Sequence, residues 1–112
     1  MTANRLPDYL DHMRLAASEA LDFLEGSSFN TFAEDRRTQK AVFMSLIFIG
    51  EAAARILERF PDFTAAHPEI AWVEMRGMRN RLTHVYFEVD LAIIWNTVQQ
   101  ELPRLLRSLE PQ

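Results

Sequence analysis

The stretch AVFMSLIFIGEAAA, from Ala41 to Ala54, is apolar on every side of a helix instead of along one stripe. A helix of that kind needs both of its faces covered. Ser45 and Glu51 interrupt the stretch, and it is shorter than the ~20 apolar residues of a membrane span, so the cover has to be protein. A chain of 112 residues has room for one core and no second, which makes residues 1–112 a single domain. The outer face is then most easily covered by another copy of the chain. The alternative is the central helix of a monomeric bundle. Gly50, Ala53 and Ala54 offer small surface through which a neighbouring helix can come close.

Helical spacing extends over most of the remaining chain. From Pro7 to Glu25 the residues Leu10, Met13, Ala17, Leu21 and Leu24 recur at intervals of three and four, with Gly26 as the stop signal. Asp8, Asp11, Glu19, Asp22 and Glu25 make the opposite face acidic, and Asp8 and His12 stand at ion-pair spacing. Ser27 to Asn30 reads as a loop. Thr31 and Glu34 read as a capping box that opens a second helix reaching Phe60, where Pro61 ends it. Residues 61–71 hold two prolines and read as a connector. A third helix starts near Trp72 and a fourth after Asp90, with Pro103 expected to kink or break it. The predicted fold is all-α: an antiparallel four-helix bundle with a short extra C-terminal helix, forming a homodimer.

Composition narrows the chemistry. There is no cysteine, which excludes disulfides, thiolate metal sites and a cysteine nucleophile. His12, His67 and His84 are far apart and none pairs with Glu or His at metal-ligand spacing, so neither a metal nor another cofactor is expected. The net charge of −4 rules out a generally basic coat for nucleic acid. A local basic site stays open, because charges act over about 8–10 Å at physiological salt. Lys40 is the only lysine beside eleven arginines; a GC-rich genome would produce the same bias. The opening MTANRLPDYLDHMRL lacks the apolar core of a signal peptide, which makes the cytoplasm the expected compartment and a membrane an unexpected partner.

One segment gathers reactive groups: RGMRNRLTHVY, from Arg76 to Tyr86. Arg76, Asn80 and His84 are each four residues apart and share a helical stripe, with Arg79 beside it. Arg81 and Tyr86 lie within the same two turns or just beyond them. Arginine is a fixed fork for phosphate oxygens, and imidazole exchanges a proton near neutral pH. Asn80 is suited to orient the imidazole or to bind a substrate oxygen. With RNA the 2′-OH is a built-in nucleophile, so these groups suffice for phosphodiester cleavage without metal. They equally suit a polar helix face with one satisfied histidine, and residue chemistry alone leaves both open. Glu51, a carboxylate in an apolar stretch, is costly unless paired; it is expected either to pair with Arg76 or Arg79 or to lie half-exposed at the bundle edge.

Arg79-x4-His84-x-Tyr86 resembles the R-x4-6-H motif of the HEPN superfamily, and within it the HepT branch, the toxin half of MNT–HepT toxin–antitoxin pairs. The likeness extends through FIGEAAARI at 48–56, PEIAW at 68–72, GMRNRLTH at 77–84 and VDLAIIWNTVQQELPRL at 89–105. The resemblance implies a helical homodimer with its two motifs facing across a cleft, acting as a metal-independent endoribonuclease that leaves a 2′,3′-cyclic phosphate. It implies that Arg79 holds the scissile phosphate and His84 is the acid/base group, with Asn80 as the polar residue usual after the motif arginine; the residue reading adds Arg76, Arg81 and Glu51 in support. It implies an MNT-type nucleotidyltransferase antitoxin as partner, with Tyr86 as the acceptor of AMP; whether the dimer assembles further with that partner is left open by the sequence. Val85 departs from the family, which commonly has Asp there. A rival reading of the same residues is a non-catalytic helical subunit that docks the nucleotidyltransferase and presents Tyr86 or a nucleotide to it.

Overall fold

The computed structural model describes residues 5–110, and of Tyr86 only the backbone. All regular structure among them is helical: α1 (Leu6–Leu24), α2 (Phe29–Glu34), α3 (Arg36–Arg59), α4 (Pro61–Ala66), α5 (Trp72–His84), α6 (Leu91–Asn96) and α7 (Leu102–Leu109). A 3-10 turn covers Tyr86–Glu88, and a π turn over Thr97–Glu101 joins α6 to α7. None of the described helices is long and apolar enough to cross a membrane.

The central element is α3. It packs against α1 on one side and α5 on the other, while α7 closes over α1. Arg59, at the end of α3, donates to the Tyr9 hydroxyl near the start of α1 (3.0 Å), so the two helices run antiparallel. Met13, Ala17 and Ala20 from α1 meet Val42, Ile49, Ala53 and Ile56 from α3, all buried, and Ile94 and Val98 complete the core. The alanines keep the two axes close. Arg14 ties α7 to α1 by donating to the Leu109 carbonyl through Nε (3.0 Å) and Nη2 (2.8 Å).

Local chemistry explains where the structure departs from the sequence reading. The helix expected from Thr31 to Phe60 is two helices. Ser28, not Thr31, caps the first by accepting from the Thr31 N–H (3.1 Å). Asp35 then breaks the run, its Oδ1 accepting from the Thr38 N–H (3.1 Å) and its Oδ2 from the Thr38 hydroxyl (2.6 Å). A carboxylate that satisfies helix-end donors favours a new start over continuation. The expected connector at 61–71 contains α4, because a proline that stops one helix is tolerated in the first turn of the next. Pro103 stands in the first turn of α7, directly after the π turn that interrupts the last rod, so a short C-terminal helix follows as expected. The preceding π turn widens the backbone where a regular helix would press the ring on the Gln99 carbonyl. Asp8 pairs with Arg5 (3.4 Å) instead of His12.

Gly26 ends α1 with φ +78°, a backbone conformation L side chains rarely adopt. Gly50 matters for a different reason: α5 crosses α3 on it. A methyl group there would collide with the Arg79 Cβ and come within 2.6 Å of the Met75 carbonyl oxygen, whereas one at Gly77 would meet nothing within 4 Å.

Two expectations follow. Gly50→Ala should destabilise by about 1–3 kcal/mol through overpacking, and Gly77→Ala should stabilise by up to about 1 kcal/mol through helix propensity; thermal melts of the pair should move in opposite directions. The Thr38 hydroxyl, and after it the Thr38 N–H, hold the Asp35 carboxyl below its ordinary range. Its contribution is therefore complete above the unfolded value of about 3.9 and is lost as pH falls through the lower folded value. The melting-temperature gap between the wild type and Asp35→Ala should stay constant from about pH 7 to 5 and narrow below about pH 4.

Candidate active site

The second half of α5 carries the reactive groups, and its N-terminal end is anchored by Trp72. That indole is buried, donates to the His67 carbonyl (3.1 Å) and meets Phe63 edge-on (centroids 5.9 Å apart). From this anchor α5 lies along α3, and the absence of a side chain at Gly50 lets the Arg79 stem rest on the α3 backbone.

Arg79 is fixed from two sides. One Nη1 hydrogen goes to Oε1 of Glu51, the residue after the crossing glycine, and Nε donates to the Asn80 side-chain oxygen (2.8 Å). Glu51 is itself bracketed, because Arg55 Nε stands 3.9 Å from its other oxygen. The Arg79 side chain is mostly buried and Glu51 is about half-exposed, so both expectations for Glu51 hold at once: it pairs with Arg79 and sits at the bundle edge. No described residue takes a hydrogen from Arg79 Nη2.

His84 ends α5 and is exposed. Its Nδ1 lies 2.8 Å from the Asn80 carbonyl oxygen and 3.0 Å from the Thr83 hydroxyl. A carbonyl only accepts, so Nδ1 carries the proton and donates to it. The Thr83 hydroxyl gives its own hydrogen to the Arg79 or Asn80 carbonyl (3.0 and 3.1 Å), which leaves its lone pairs facing Nδ1. The neutral imidazole therefore presents the Nε2 lone pair away from the helix. A base with one fixed tautomer and a guanidinium with an uncommitted edge suit proton transfer beside an anionic group.

The other proposed residues separate. Arg76 is half-buried one turn before Asn80 and has no ion pair among the described residues. Arg81 points elsewhere: with Met78 and Ile93 it lines a cavity of about 370 Å³ between α5 and the α6–α7 rod. The Tyr86 side chain lies outside the described residues. Among those residues no three His, Asp or Glu side chains form a group able to hold a metal ion. Sequence reasoning missed Thr83 and Arg55. Thr83 was signalled by a hydroxyl four residues after Arg79 at a helix end, and Arg55 by its i,i+4 spacing from Glu51.

Nitrogen-15 NMR at a pH where the imidazole is neutral should find His84 protonated at Nδ1. Thr83→Val should keep that form, because the Asn80 carbonyl still accepts from Nδ1. Glu51→Ala should lower stability by about 1 kcal/mol, read as a fall in melting temperature, since it removes a partly exposed pair and leaves Arg79 half-satisfied.

The model of the ribonuclease HepT-like family matches residues 13–111. A Thermococcus cleftensis protein named "Probable ribonuclease HepT" is 40% identical over 92% of this chain and 91% of its own. A Methanocaldococcus jannaschii protein is 35% identical over 94% of this chain and 81% of its own. One from Caldanaerobacter subterraneus subsp. tengcongensis is 33% identical over 91% and 88%. These last two carry provisional RNase names. No solved structure gives a significant match. With its Arg79–His84 helix inside the matched region, the chain belongs to the ribonuclease HepT-like family.

Proposed function

We propose that this chain is a metal-independent endoribonuclease toxin whose site is Arg79 and His84. The observation that carries the reading is the fixed tautomer of His84, whose Nε2 lone pair faces outward. Nε2 takes the proton of an RNA 2′-OH as that oxygen bonds to the adjacent phosphorus. Arg79 Nη2 stabilises charge on the equatorial phosphate oxygens. The bond from phosphorus to the 5′ oxygen breaks, and the 5′ oxygen leaves as an alcohol with a proton from the second copy's His84. The products are a 2′,3′-cyclic phosphate and a 5′-OH. Asn80 and Glu51 hold the guanidinium, and Arg76 adds positive charge one turn away.

The working unit is a homodimer of four-helix bundles. Leu15, Met44 and Phe48 are 60%, 49% and 52% exposed, and Leu15 and Phe48 border the same cleft as Glu51. A second copy seated on this apolar strip covers it and brings two motifs together. Arg79 and His84 are five positions apart and so point about 140° from each other around one helix. A cleft lined by two copies accommodates that divergence, with the arginine of one copy serving the histidine of the other. An MNT-type nucleotidyltransferase silences the toxin by placing AMP on Tyr86, adding bulk and negative charge two residues from His84, and larger assemblies form with that partner. The setting is the cytoplasm, and residues 1–112 act as one domain.

Purified protein should cut labelled RNA in excess EDTA and leave cyclic-phosphate ends. His84→Ala and Arg79→Ala should each lower the rate by at least about 100-fold. A correctly folded dimer that leaves several RNAs intact, tRNA included, and carries no AMP on Tyr86 would overturn the reading.

A further inference from the structure

The first turns of α3 carry charge that the Arg79–His84 site does not use. Arg36 and Lys40 stand about one turn apart, both exposed, and neither has a carboxylate partner among the described residues. Acids outnumber bases sixteen to twelve in this chain, yet no described carboxylate is paired with either of these two cations. Because α3 and α5 are antiparallel, these turns return beside the chain that leaves α5. A groove of about 160 Å³ opens between them, walled by Arg36, Lys40 and Phe87 over apolar Phe43, Val89 and Leu91. Phe87 follows His84 by three residues and is 76% exposed. Lys40 and Glu51 are eleven positions apart, three helical turns to within about 20°, so the cation stands on the same side of α3 as the residue that holds Arg79.

We infer that this groove is the track for the single-stranded RNA that flanks the scissile phosphate, an assignment that rests on the ribonuclease reading. One unstacked base lies on Phe87 above the apolar floor, and the phosphates on either side of it pair with Arg36 and Lys40. Stacking on an aromatic ring accepts any base, while the cations follow the backbone. Charge selects the occupant. An apolar protein surface seated here would bury two cations without counter-charge, whereas a polyanion with flat faces satisfies the cations and the ring together.

The test uses a fluorescein-labelled 2′-O-methyl oligonucleotide, which binds and cannot be cut, titrated by anisotropy at several salt concentrations. Arg36→Ala and Lys40→Ala should each weaken binding about 3- to 10-fold and reduce the salt slope by about 0.7–1. Phe87→Ala should weaken it about 5- to 10-fold with the slope unchanged, and Phe87→Trp should restore it. Arg104→Ala, an equal charge change on α7, is the control. Variants that bind like this control, or a wild type that does not bind, overturn the track. So does a Phe87→Ala protein that binds RNA normally but loses its dimer, since the groove would then be an interface between copies. Cleavage of unmodified RNA separates the two readings. Wild type that cuts, with groove variants that bind and cut normally, removes the track alone; wild type that never cuts, with groove variants that lose binding, removes the nuclease and keeps the track.

Discussion

The crossing of α5 over α3 at Gly50 governs the geometry of everything built on it. With no side chain between them, the Arg79 stem sits on the α3 backbone, and the next residue along α3, Glu51, comes within reach of the guanidinium. A side chain at position 50 would push the two helices apart and take the arginine away from its carboxylate. The asparagine after Arg79 then holds Nε, and the fork is fixed in two directions while one edge stays available. Helix contact, ion pair and orientation thus depend on one missing methyl group.

Electrostatics at this crossing is shared among three side chains. Burying a cation with no partner is costly. Glu51 lies between Arg79 and Arg55 and is about half-exposed, so it steadies Arg79 with only part of its charge. The histidine is held by a different device. Its ring is fixed by the Asn80 carbonyl, one turn earlier on the same helix, and by the Thr83 hydroxyl.

Much of this was legible in the residues. Apolar spacing located α1, an apolar run on all sides located α3, the end of the two-proline stretch located α5, and Asp90 was visible as a cap; its Oδ1 accepts from the Ala92 N–H (2.9 Å). The reactive segment and the pairing of Glu51 with an arginine of α5 also followed from residue type and position. Reading Thr31 as the cap where Ser28 and Asp35 act was an error of local competition: several good capping residues stood close together, and burial of Phe32 against the core decided which of them ended a helix. Pro103 marked an irregularity in the last rod without giving its form: a π turn precedes the proline, and periodicity carries no mark of it.

The sequence by itself determined the helical class, the order of the long helices, the lack of thiol chemistry and the chemical groups of the site. Each of these depends on residue identity or on spacing within one helix. Only the tertiary structure decided which arginines work together. Arg79 and Arg81 differ by two positions, yet one lies on Glu51 and the other lines a cavity on the far side of α5. Sequence distance says nothing of the face a helix turns toward its neighbour. That face was set by the close fit at Gly50, and the same antiparallel register brought Lys40 and Arg36 beside Phe87 from half a chain away.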